Sequence, residues 1–306
     1  MVLILGVTAS GKGQLAFGLA ESLGAEIISI DSMKVYRRMD IGTGKPPREA
    51  REKVPYHLID VVEPSDAFSV AAFLDLTNRS IGQIESRKRP IIAVGGTALY
   101  IKALLYGLFE GPGIDEQIRA ELRARAETEG AGLYRELAAI DPAAAERISP
   151  NDTRRIIRAL EVYKITGKPI SSFQNQFDAK EPLRKWTIIG LRREKAEENK
   201  RINARVKRMI SAGLVDEVKS LLADERPLSK QARCAIGYAE IIDHLSGRTT
   251  LEDAVELIKK NTRRLAKNQR TWFKTFSNVN WLDIGAGESF GKILSRARTV
   301  IENLET

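Results

Sequence analysis

The residues from Gly6 to Lys12 have the types and the spacing of a loop that binds phosphate groups. Their sequence is Gly-Val-Thr-Ala-Ser-Gly-Lys, and it lies between an apolar Leu-Ile-Leu run and a helical stretch. In this G-x-x-x-x-G-K pattern, backbone amides and a lysine at a helix N-terminus surround linked phosphates. The predicted phosphate-binding residues are Gly6, Thr8, Ala9, Ser10, Gly11, Lys12 and Gly13.

Two positions differ from those of nucleotide-hydrolysing P-loop proteins. Gly13 stands where those proteins have a Ser or Thr whose hydroxyl holds Mg²⁺. The strand predicted at 90–94 continues into Gly95-Gly96-Thr97 and not into a metal-binding Asp. Both differences argue against simple ATP or GTP hydrolysis. We therefore expect the bound phosphates to belong to a different molecule.

Two further polar residues follow predicted strands. Asp31 comes directly after the strand 26–30, and Thr97 follows a glycine pair that allows close approach of a ligand. Ligands of open α/β sheets bind at the carboxyl ends of the strands, so both residues are expected beside the P-loop. Asp31 is a candidate general base or Mg²⁺ ligand, with a helix-capping role as the alternative. Thr97 is a candidate hydroxyl donor.

The elements that position these residues follow from the hydrophobic pattern. Short apolar strands at 2–5, 26–30, 57–61 and 90–94 alternate with helical patterns, which predicts an α/β fold with a parallel sheet. From about Pro112 the pattern changes to helices alone, until a strand returns at 186–191. We predict a P-loop NTPase-like core with helices on both faces, formed by 1–111 and 186–306. An all-helical insertion domain at 112–185 interrupts it.

Basic residues are concentrated in two helical segments. Arg154, Arg155 and Arg158 lie on an amphipathic helix whose buried side includes Ile156 and Ile157. A second segment has no acidic residue between Glu256 and Asp283 and contains several aromatic residues. Its cations are Lys259, Lys260, Arg263, Arg264, Lys267, Arg270 and Lys274. Two interpretations stay open for both segments, a solvated helix face and a contact surface for a phosphate backbone.

Composition excludes several classes of protein. The 306 residues are 43% hydrophobic and 29% charged, which is typical of a folded enzyme, and no apolar run approaches a membrane span. The net charge of +9 is compatible with a polyanionic partner. The single cysteine, Cys234, excludes an intrachain disulfide and fits a reducing cytoplasm. His57 and His244 have no partner at metal-ligand spacing.

Taken together, the motifs resemble those of the tRNA dimethylallyltransferase (IPP transferase) family. The resemblance spans roughly residues 2–276 with its motifs in the expected order. The motifs are GVTASGK at 6–12, DSMKVYRRMDIGTGKP at 31–46, PYHLID at 55–60, VGGTALY at 94–100, NDTRRIIRALEV at 151–162, RINARV at 201–206, AIGY at 235–238 and TRRLAKNQRTWF at 262–273.

The resemblance implies an enzyme that moves the dimethylallyl group of dimethylallyl diphosphate to N6 of the adenosine immediately 3′ of a tRNA anticodon. We expect it to be a cytoplasmic monomer. Diphosphate is released and Mg²⁺ assists. Asp31 resembles the family's general base, and Thr8, Lys12, Thr97 and Arg233 resemble its diphosphate ligands. The implied tRNA contacts are Asp31, Ser32, Met33, Lys34, Thr97, Arg119, Arg154, Arg155, Ile156, Ile157, Arg158 and Arg233. The insertion domain would clasp the anticodon stem-loop.

Four positions depart from the family's usual residues, namely Val7, Gly13, Lys34 and Asn268 in place of Pro, Ser or Thr, Gln and Arg. Gly13 removes an expected magnesium contact, so the metal would be held by Asp31, water and the diphosphate. Lys34 replaces an amide expected to contact the adenine. Arg233 is, on sequence grounds alone, equally compatible with an ordinary surface position.

Three alternative functions remain from the sequence. An isopentenyltransferase that acts on free AMP or ATP would share the P-loop without needing the basic C-terminal helix. A small-molecule kinase would also share the P-loop, but it should have the metal-binding Asp and Ser or Thr positions. A non-catalytic RNA-binding protein is supported only by Gly13.

Overall fold

The computed structural model describes residues 1–108, 111–173 and 182–303 and divides the chain into two compact units. Unit 1 consists of Met1–Ala103 and Arg184–Thr306, and unit 2 consists of Leu104–Leu183. The sequence-based boundaries of the insertion were 112 and 185. None of the helices within the described ranges has the length and apolar composition needed to cross a membrane.

The core of unit 1 is a parallel sheet of six strands with helices on both faces, which confirms the predicted fold class. The strands are β1 (Val2–Gly6), β2 (Glu26–Ile30), β3 (Tyr56–His57), β4 (Ile91–Gly95), β5 (Thr187–Arg192) and β6 (Val279–Asp283). Their spatial order is β3-β2-β4-β1-β5-β6. β1 is central and fully buried, as expected for an apolar run in a sheet covered on both faces.

Helices connect these strands and make up unit 2. They are α1 (Lys12–Leu23), α2 (Arg48–Lys53), α3 (Val70–Ser86), α4 (Ala98–Tyr106), α5 (Glu116–Glu129), α6 (Gly132–Ile140), α7 (Pro142–Arg147), α8 (Thr153–Thr166), α9 (Lys195–Ser211), α10 (Leu214–Leu222), α11 (Lys230–Arg233), α12 (Tyr238–Leu245), α13 (Leu251–Phe273) and α14 (Phe290–Glu302). α1 packs Leu15 and Leu19 into a core with Ile4 and Ile27 of the sheet. This packing fixes the start of α1, and with it the P-loop, at the carboxyl end of β1.

One predicted strand is wrong in extent. The pattern at 57–61 predicted five strand residues, whereas β3 covers only Tyr56–His57. Leu58 and Asp60 have positive φ angles of 62° and 56°, which turn the chain out of the extended conformation. The sequence analysis also missed β6, α2 and α11.

Unit 2 has its own hydrophobic core, formed by residues of α5 to α8. Leu122, Leu137 and Leu160 lie in this core together with Ile156 and Ile157, which are only 3% and 8% exposed. The amphipathic interpretation of α8 is therefore confirmed. The side chains of Ile156 and Ile157 pack inside the unit, and a contact of either residue with RNA stays a prediction.

The buried carboxylate of Glu161 organises the charged side of the same helix. Its Oε1 lies 2.9 Å from the Arg119 Nε, its Oε2 lies 2.7 Å from the Arg158 guanidinium, and the Asp115 amide also donates to it. Glu161 has no exposed surface. Two of the predicted RNA-binding arginines, Arg119 and Arg158, thus neutralise a carboxylate inside unit 2.

Glu161→Ala is expected to lower the free energy of unfolding by about 3–5 kcal/mol, because it removes one partner of a buried ion pair. Urea denaturation followed by circular dichroism measures this loss. Glu121→Ala is the matched control, since its exposed pair with Lys164 predicts a change of about 0–1 kcal/mol. Equal losses in the two variants would contradict the structural role of Glu161.

Candidate active site

The P-loop leaves amide groups without acceptors at the start of α1. The loop is bent by left-handed conformations at Ala9 and Gly11, with φ angles of 62° and 100°. The first helical hydrogen bond of α1 is formed by the Leu15 amide, and no acceptor is recorded among the described residues for the amides of Gly13 and Gln14. Such free amides at a helix N-terminus, next to the Lys12 side chain, form an anion-binding site.

Three arginines that the sequence analysis did not single out hold the loop in this shape. Arg193 donates to the Ser10 carbonyl over 3.0 Å, and Arg201 donates to the Ala9 carbonyl over 2.8 Å. Arg205 donates to the hydroxyl of Thr8 over 3.3 Å. The i, i+4 spacing of Arg201 and Arg205 on α9 was visible in the sequence, but their partners are about 190 residues away.

Gln269 connects α13 to the P-loop and to the end of β4. Its Oε1 accepts a hydrogen bond from the Thr8 amide over 2.8 Å, and its Nε2 donates to the Gly96 carbonyl over 2.8 Å. The side chain is buried. Both ends of a single amide therefore fix the distance between the two loops that follow β1 and β4.

Glu217 of α10 holds the loop that follows β2. Its carboxylate accepts hydrogen bonds from the amides of Asp40, Ile41 and Gly42 and from the hydroxyl of Tyr238 over 2.6 Å. Four donors on one carboxylate hold this loop in a single arrangement beside the site. Sequence spacing gives no signal for this contact.

Asp31 uses one carboxylate oxygen for structure and keeps the other available. Its Oδ1 accepts hydrogen bonds from the amides of Met33 and Lys34 over 2.9 and 3.2 Å. No hydrogen bond to its Oδ2 is recorded among the described residues. Oδ1 therefore holds the turn that follows β2, and no helix begins there for it to cap. Oδ2 can accept a proton or a further hydrogen bond. Thr97 lies beside it, because its hydroxyl accepts from the Ser32 amide over 3.2 Å.

A cavity of about 710 Å³ in unit 1 brings these groups together. Its lining includes Ala9, Gly11 and Gly13 of the P-loop and its helix and the polar side chains of Thr8, Lys12, Asp31, Lys34, Thr97 and Arg205. Its apolar lining includes Phe17, Met33, Pro46, Pro47, Tyr56, Ile59, Val206, Met209, Ile236 and Leu265. An anion-binding end within a largely apolar wall suits a ligand that joins phosphates to a hydrocarbon chain.

Not every predicted site residue lies in this cavity. Arg233 is exposed on α11 and is not part of the described cavity lining. On unit 2, Arg154 is exposed, and Arg155 is exposed and pairs with Asp152. The roles of these three arginines stay predictions.

Burial gives Lys12 an unusual charge state. Desolvation, followed by the charges of Lys34 and Arg205, lowers the pKa of Lys12 to about 7, and Asp31 opposes the shift only in part. An anion bound at the P-loop favours the charged ammonium and must raise this pKa again. Anion binding therefore takes up a proton above pH 7, and the affinity is expected to fall as the pH rises above that value.

Lysine-labelled ¹³C NMR measures this pKa directly. In the unliganded protein the Lys12 signal, assigned from its loss in Lys12→Arg, is expected to titrate with a midpoint near 7. Inorganic diphosphate is expected to move the midpoint upward. An unliganded midpoint in the usual range of lysine would contradict the electrostatic description of the site.

The side chains of the cavity lining offer Mg²⁺ few ligands. They fit the ion only if the phosphates of a bound substrate and water supply most of its coordination. Among the described residues no group of three or more His, Cys, Asp or Glu side chains is placed to hold a metal, and Asp31 is the one acidic side chain of the described cavity lining. Mg²⁺ is commonly bound by one or two carboxylates together with substrate phosphates and water. His57 pairs with Glu26 and His244 contacts the Thr249 carbonyl, so neither contributes.

Comparison with known proteins identifies the family. The family model described as IPP transferase matches residues 34–276, and one described as isopentenyl transferase matches residues 1–61. The chain belongs to the IPP transferase family. The family member from Geobacter metallireducens, a tRNA dimethylallyltransferase, is 48% identical over 96% of this chain and 95% of its own length. The tRNA dimethylallyltransferase of Geobacillus kaustophilus is 44% identical over 100% and 97% of the two chains.

Solved structures of this family have the same fold. The full-length tRNA isopentenylpyrophosphate transferase from Bacillus halodurans is 41% identical, with a TM-score of 0.73 over 99% of this chain and 95% of that one. A eukaryotic dimethylallyltransferase, described as acting on tRNA, is 28% identical, with a TM-score of 0.82 over 99% of this chain and 79% of that one. This IPP transferase therefore shares both sequence and fold with prenyltransferases.

Proposed function

We propose that this IPP transferase moves the dimethylallyl group of dimethylallyl diphosphate to N6 of the adenosine immediately 3′ of a tRNA anticodon, with release of diphosphate. The observation that carries the proposal is the common cavity of the P-loop and Asp31. The P-loop amides and Lys12 suit the diphosphate, the apolar wall suits the five-carbon chain, and the available Oδ2 suits an incoming amine.

The first part of the reaction is departure of the diphosphate. The allylic C1–O bond breaks, and negative charge develops on the leaving oxygens while the allyl group gains carbocation character. Lys12, Arg205 and the amides of Gly13 and Gln14 are positioned to stabilise that charge. Preorganised electrostatic stabilisation of this kind is usually the largest contribution to catalysis.

The second part is attack by the adenine. The N6–C1 bond forms from the N6 lone pair, and one N6 proton moves to Oδ2 of Asp31. Exocyclic adenine nitrogen is a weak nucleophile, so removal of this proton as the bond forms contributes to the rate. Oδ1 keeps its two amide hydrogen bonds during this transfer and holds the carboxylate in place.

Magnesium has a supporting place in this scheme. When bound, Mg²⁺ neutralises part of the charge on the diphosphate. Asp31 and the Thr97 hydroxyl are the protein oxygens of the cavity lining that would contact it or its water molecules. We also propose that the enzyme acts in the cytoplasm as a monomer.

We further propose that a groove between α9 and α13 binds the RNA backbone. This groove of about 600 Å³ is lined by Lys195, Asn199, Arg263, Arg264, Lys267, Arg270, Thr271 and Lys274. The described part of that lining contains no acidic residue, although Arg270 pairs with the buried Glu198 behind it. Arg154 and Arg155 of unit 2 are further exposed candidates for phosphate contacts.

The affinity for tRNA is expected to fall steeply with salt, because phosphate contacts release condensed counterions. Filter binding between about 50 and 200 mM salt measures the slope of log K against log salt. The Arg264→Ala, Lys267→Ala double variant should flatten that slope, whereas Arg248→Ala, remote from the groove, should not. A slope near zero in the unaltered protein would contradict RNA binding by these residues.

One assay separates the proposed function from the alternatives. The protein is incubated with radiolabelled dimethylallyl diphosphate and with tRNA, AMP or ATP in separate reactions. Label is expected in tRNA alone. Label in AMP or ATP would instead support an adenylate isopentenyltransferase. No label in any acceptor would contradict prenyl transfer and leave a kinase or a binding protein.

A further inference from the structure

Lys34 adds to the cavity a positive charge for which the described residues provide no hydrogen-bond or ion-pair partner. Its side chain lines the cavity, and no hydrogen bond or ion pair of its ammonium group is recorded among the described residues. Lys34 is partly buried and shares this lining with two other cations, Lys12 and Arg205. An anionic ligand in the cavity is therefore the expected partner of its ammonium group.

The neighbouring Lys45 shows what a structural lysine looks like in the same loop. Its ammonium group contacts Asp40 over 2.6 Å and Asp60 over 2.5 Å, and it donates to the Tyr36 carbonyl. Lys45 is thus neutralised within the protein and is absent from the described cavity lining. Lys34 lines the cavity and has no recorded partner among the described residues, so it differs from Lys45 in both respects. Lys45 holds the loop, whereas Lys34 faces the space that a ligand would occupy.

The cavity that contains this extra cation offers few protein ligands to a metal ion. Gly13 follows the P-loop lysine and has no hydroxyl, whereas P-loops that hold Mg²⁺ have a Ser or Thr there. Asp31, the one carboxylate of the described lining, already gives Oδ1 to two amides. The protein therefore offers a metal few oxygen ligands and offers an anion three cations, Lys12, Lys34 and Arg205.

We propose that the ammonium group of Lys34 binds the diphosphate and supplies positive charge that a protein-bound divalent cation would otherwise supply. This inference rests on the proposed function, since the diphosphate must occupy the P-loop for Lys34 to contact it. Lys34 is then a substrate ligand whose effect on diphosphate binding is largest when no metal is present.

Isothermal titration calorimetry with inorganic diphosphate, in EDTA and in Mg²⁺, tests this inference. The unaltered protein is expected to bind in EDTA. Lys34→Gln, which keeps a polar side chain and removes the charge, is expected to weaken binding in EDTA by about 10- to 100-fold. The loss should be smaller in Mg²⁺. Lys53→Gln, an exposed lysine on α2, is the matched control and should change neither affinity.

A second variant tests whether a protein hydroxyl at position 13 allows Mg²⁺ to replace the charge of Lys34. A Cβ placed on Gly13 meets no atom within 4 Å, so Gly13→Ser adds a hydroxyl without a clash. In the Lys34→Gln background this change should restore affinity in Mg²⁺ but not in EDTA. Thermal unfolding of each variant confirms that it is folded, and Lys34→Met replaces Lys34→Gln if the latter is not.

The outcomes separate this inference from the proposed function. Equal affinities of the unaltered protein and Lys34→Gln in EDTA would overturn the role of Lys34 while leaving the P-loop assignment intact. Binding by the unaltered protein only in Mg²⁺ would overturn it as well. Failure of the unaltered protein to bind diphosphate under either condition would overturn the proposed function and this inference together.

Discussion

Asp31→Ala lowers kcat for tRNA prenylation by about 10²–10⁴ and leaves the affinity for tRNA nearly unchanged. This is the usual range for loss of a general base, since the N6 proton then has no positioned acceptor. Single-turnover kinetics with saturating dimethylallyl diphosphate and tRNA measures the rate, and filter binding measures the affinity.

Asp31→Asn distinguishes the proposed role of Asp31 as proton acceptor from its role in holding the turn after β2. Its amide oxygen can still accept the two hydrogen bonds from the Met33 and Lys34 amides, but it cannot take a proton at neutral pH. We expect Asp31→Asn to lose as much rate as Asp31→Ala and to keep the thermal stability of the unaltered protein. Near-normal turnover in Asp31→Asn would remove Asp31 from the role of base.

Lys12→Met is expected to lower kcat/KM for dimethylallyl diphosphate by about 10²–10³, the range for loss of one preorganised group that stabilises developing negative charge. Methionine keeps an unbranched side chain of similar size and removes the charge. Steady-state kinetics with varied donor at saturating tRNA measures the change. Among the described residues the Lys12 ammonium group donates only to the Val7 carbonyl, over 3.1 Å, so a large loss of stability is not expected.

Lys53→Met is the control for that measurement, because Lys53 is an exposed lysine on α2 outside the described cavity lining. It should leave kcat/KM unchanged. A Lys12→Met variant with normal kcat/KM would place the leaving diphosphate away from the P-loop. A loss confined to kcat/KM for tRNA would instead place Lys12 at the RNA.

Much of the fold was predictable because its determinants are local. The apolar run of β1, buried between neighbouring strands, and the helical pattern of α1 gave the correct elements within one residue. β6 was missed because its short Val-Asn-Trp-Leu-Asp sequence is neither a continuous apolar run nor an alternation of apolar and polar residues, and it lies at the sheet edge. The predicted length of β3 was wrong for a different reason. Leu58 has a left-handed conformation, which ends the strand although the apolar pattern continues.

The candidate site was predictable only in its local part. The P-loop, Asp31 and Thr97 follow strands directly, so sequence position alone brings them to one edge of the sheet. Arg205 and Gln269 contact Thr8 from about 200 and 260 residues away, and no spacing rule connects them. The hydrophobic pattern placed Ile156 on the buried side of its helix, and that side chain lies in the core of unit 2, whereas the RNA contact was implied only by the family resemblance.

A crystal structure of this IPP transferase with a non-reactive thio analogue of dimethylallyl diphosphate tests the central claim most directly. We expect the diphosphate within hydrogen-bond distance of the Gly13 amide and of the Lys12 ammonium group. Its first allylic carbon should face the side of the cavity where Oδ2 of Asp31 lies. A diphosphate bound elsewhere, or an Asp31 carboxylate turned away from that carbon, would contradict the account.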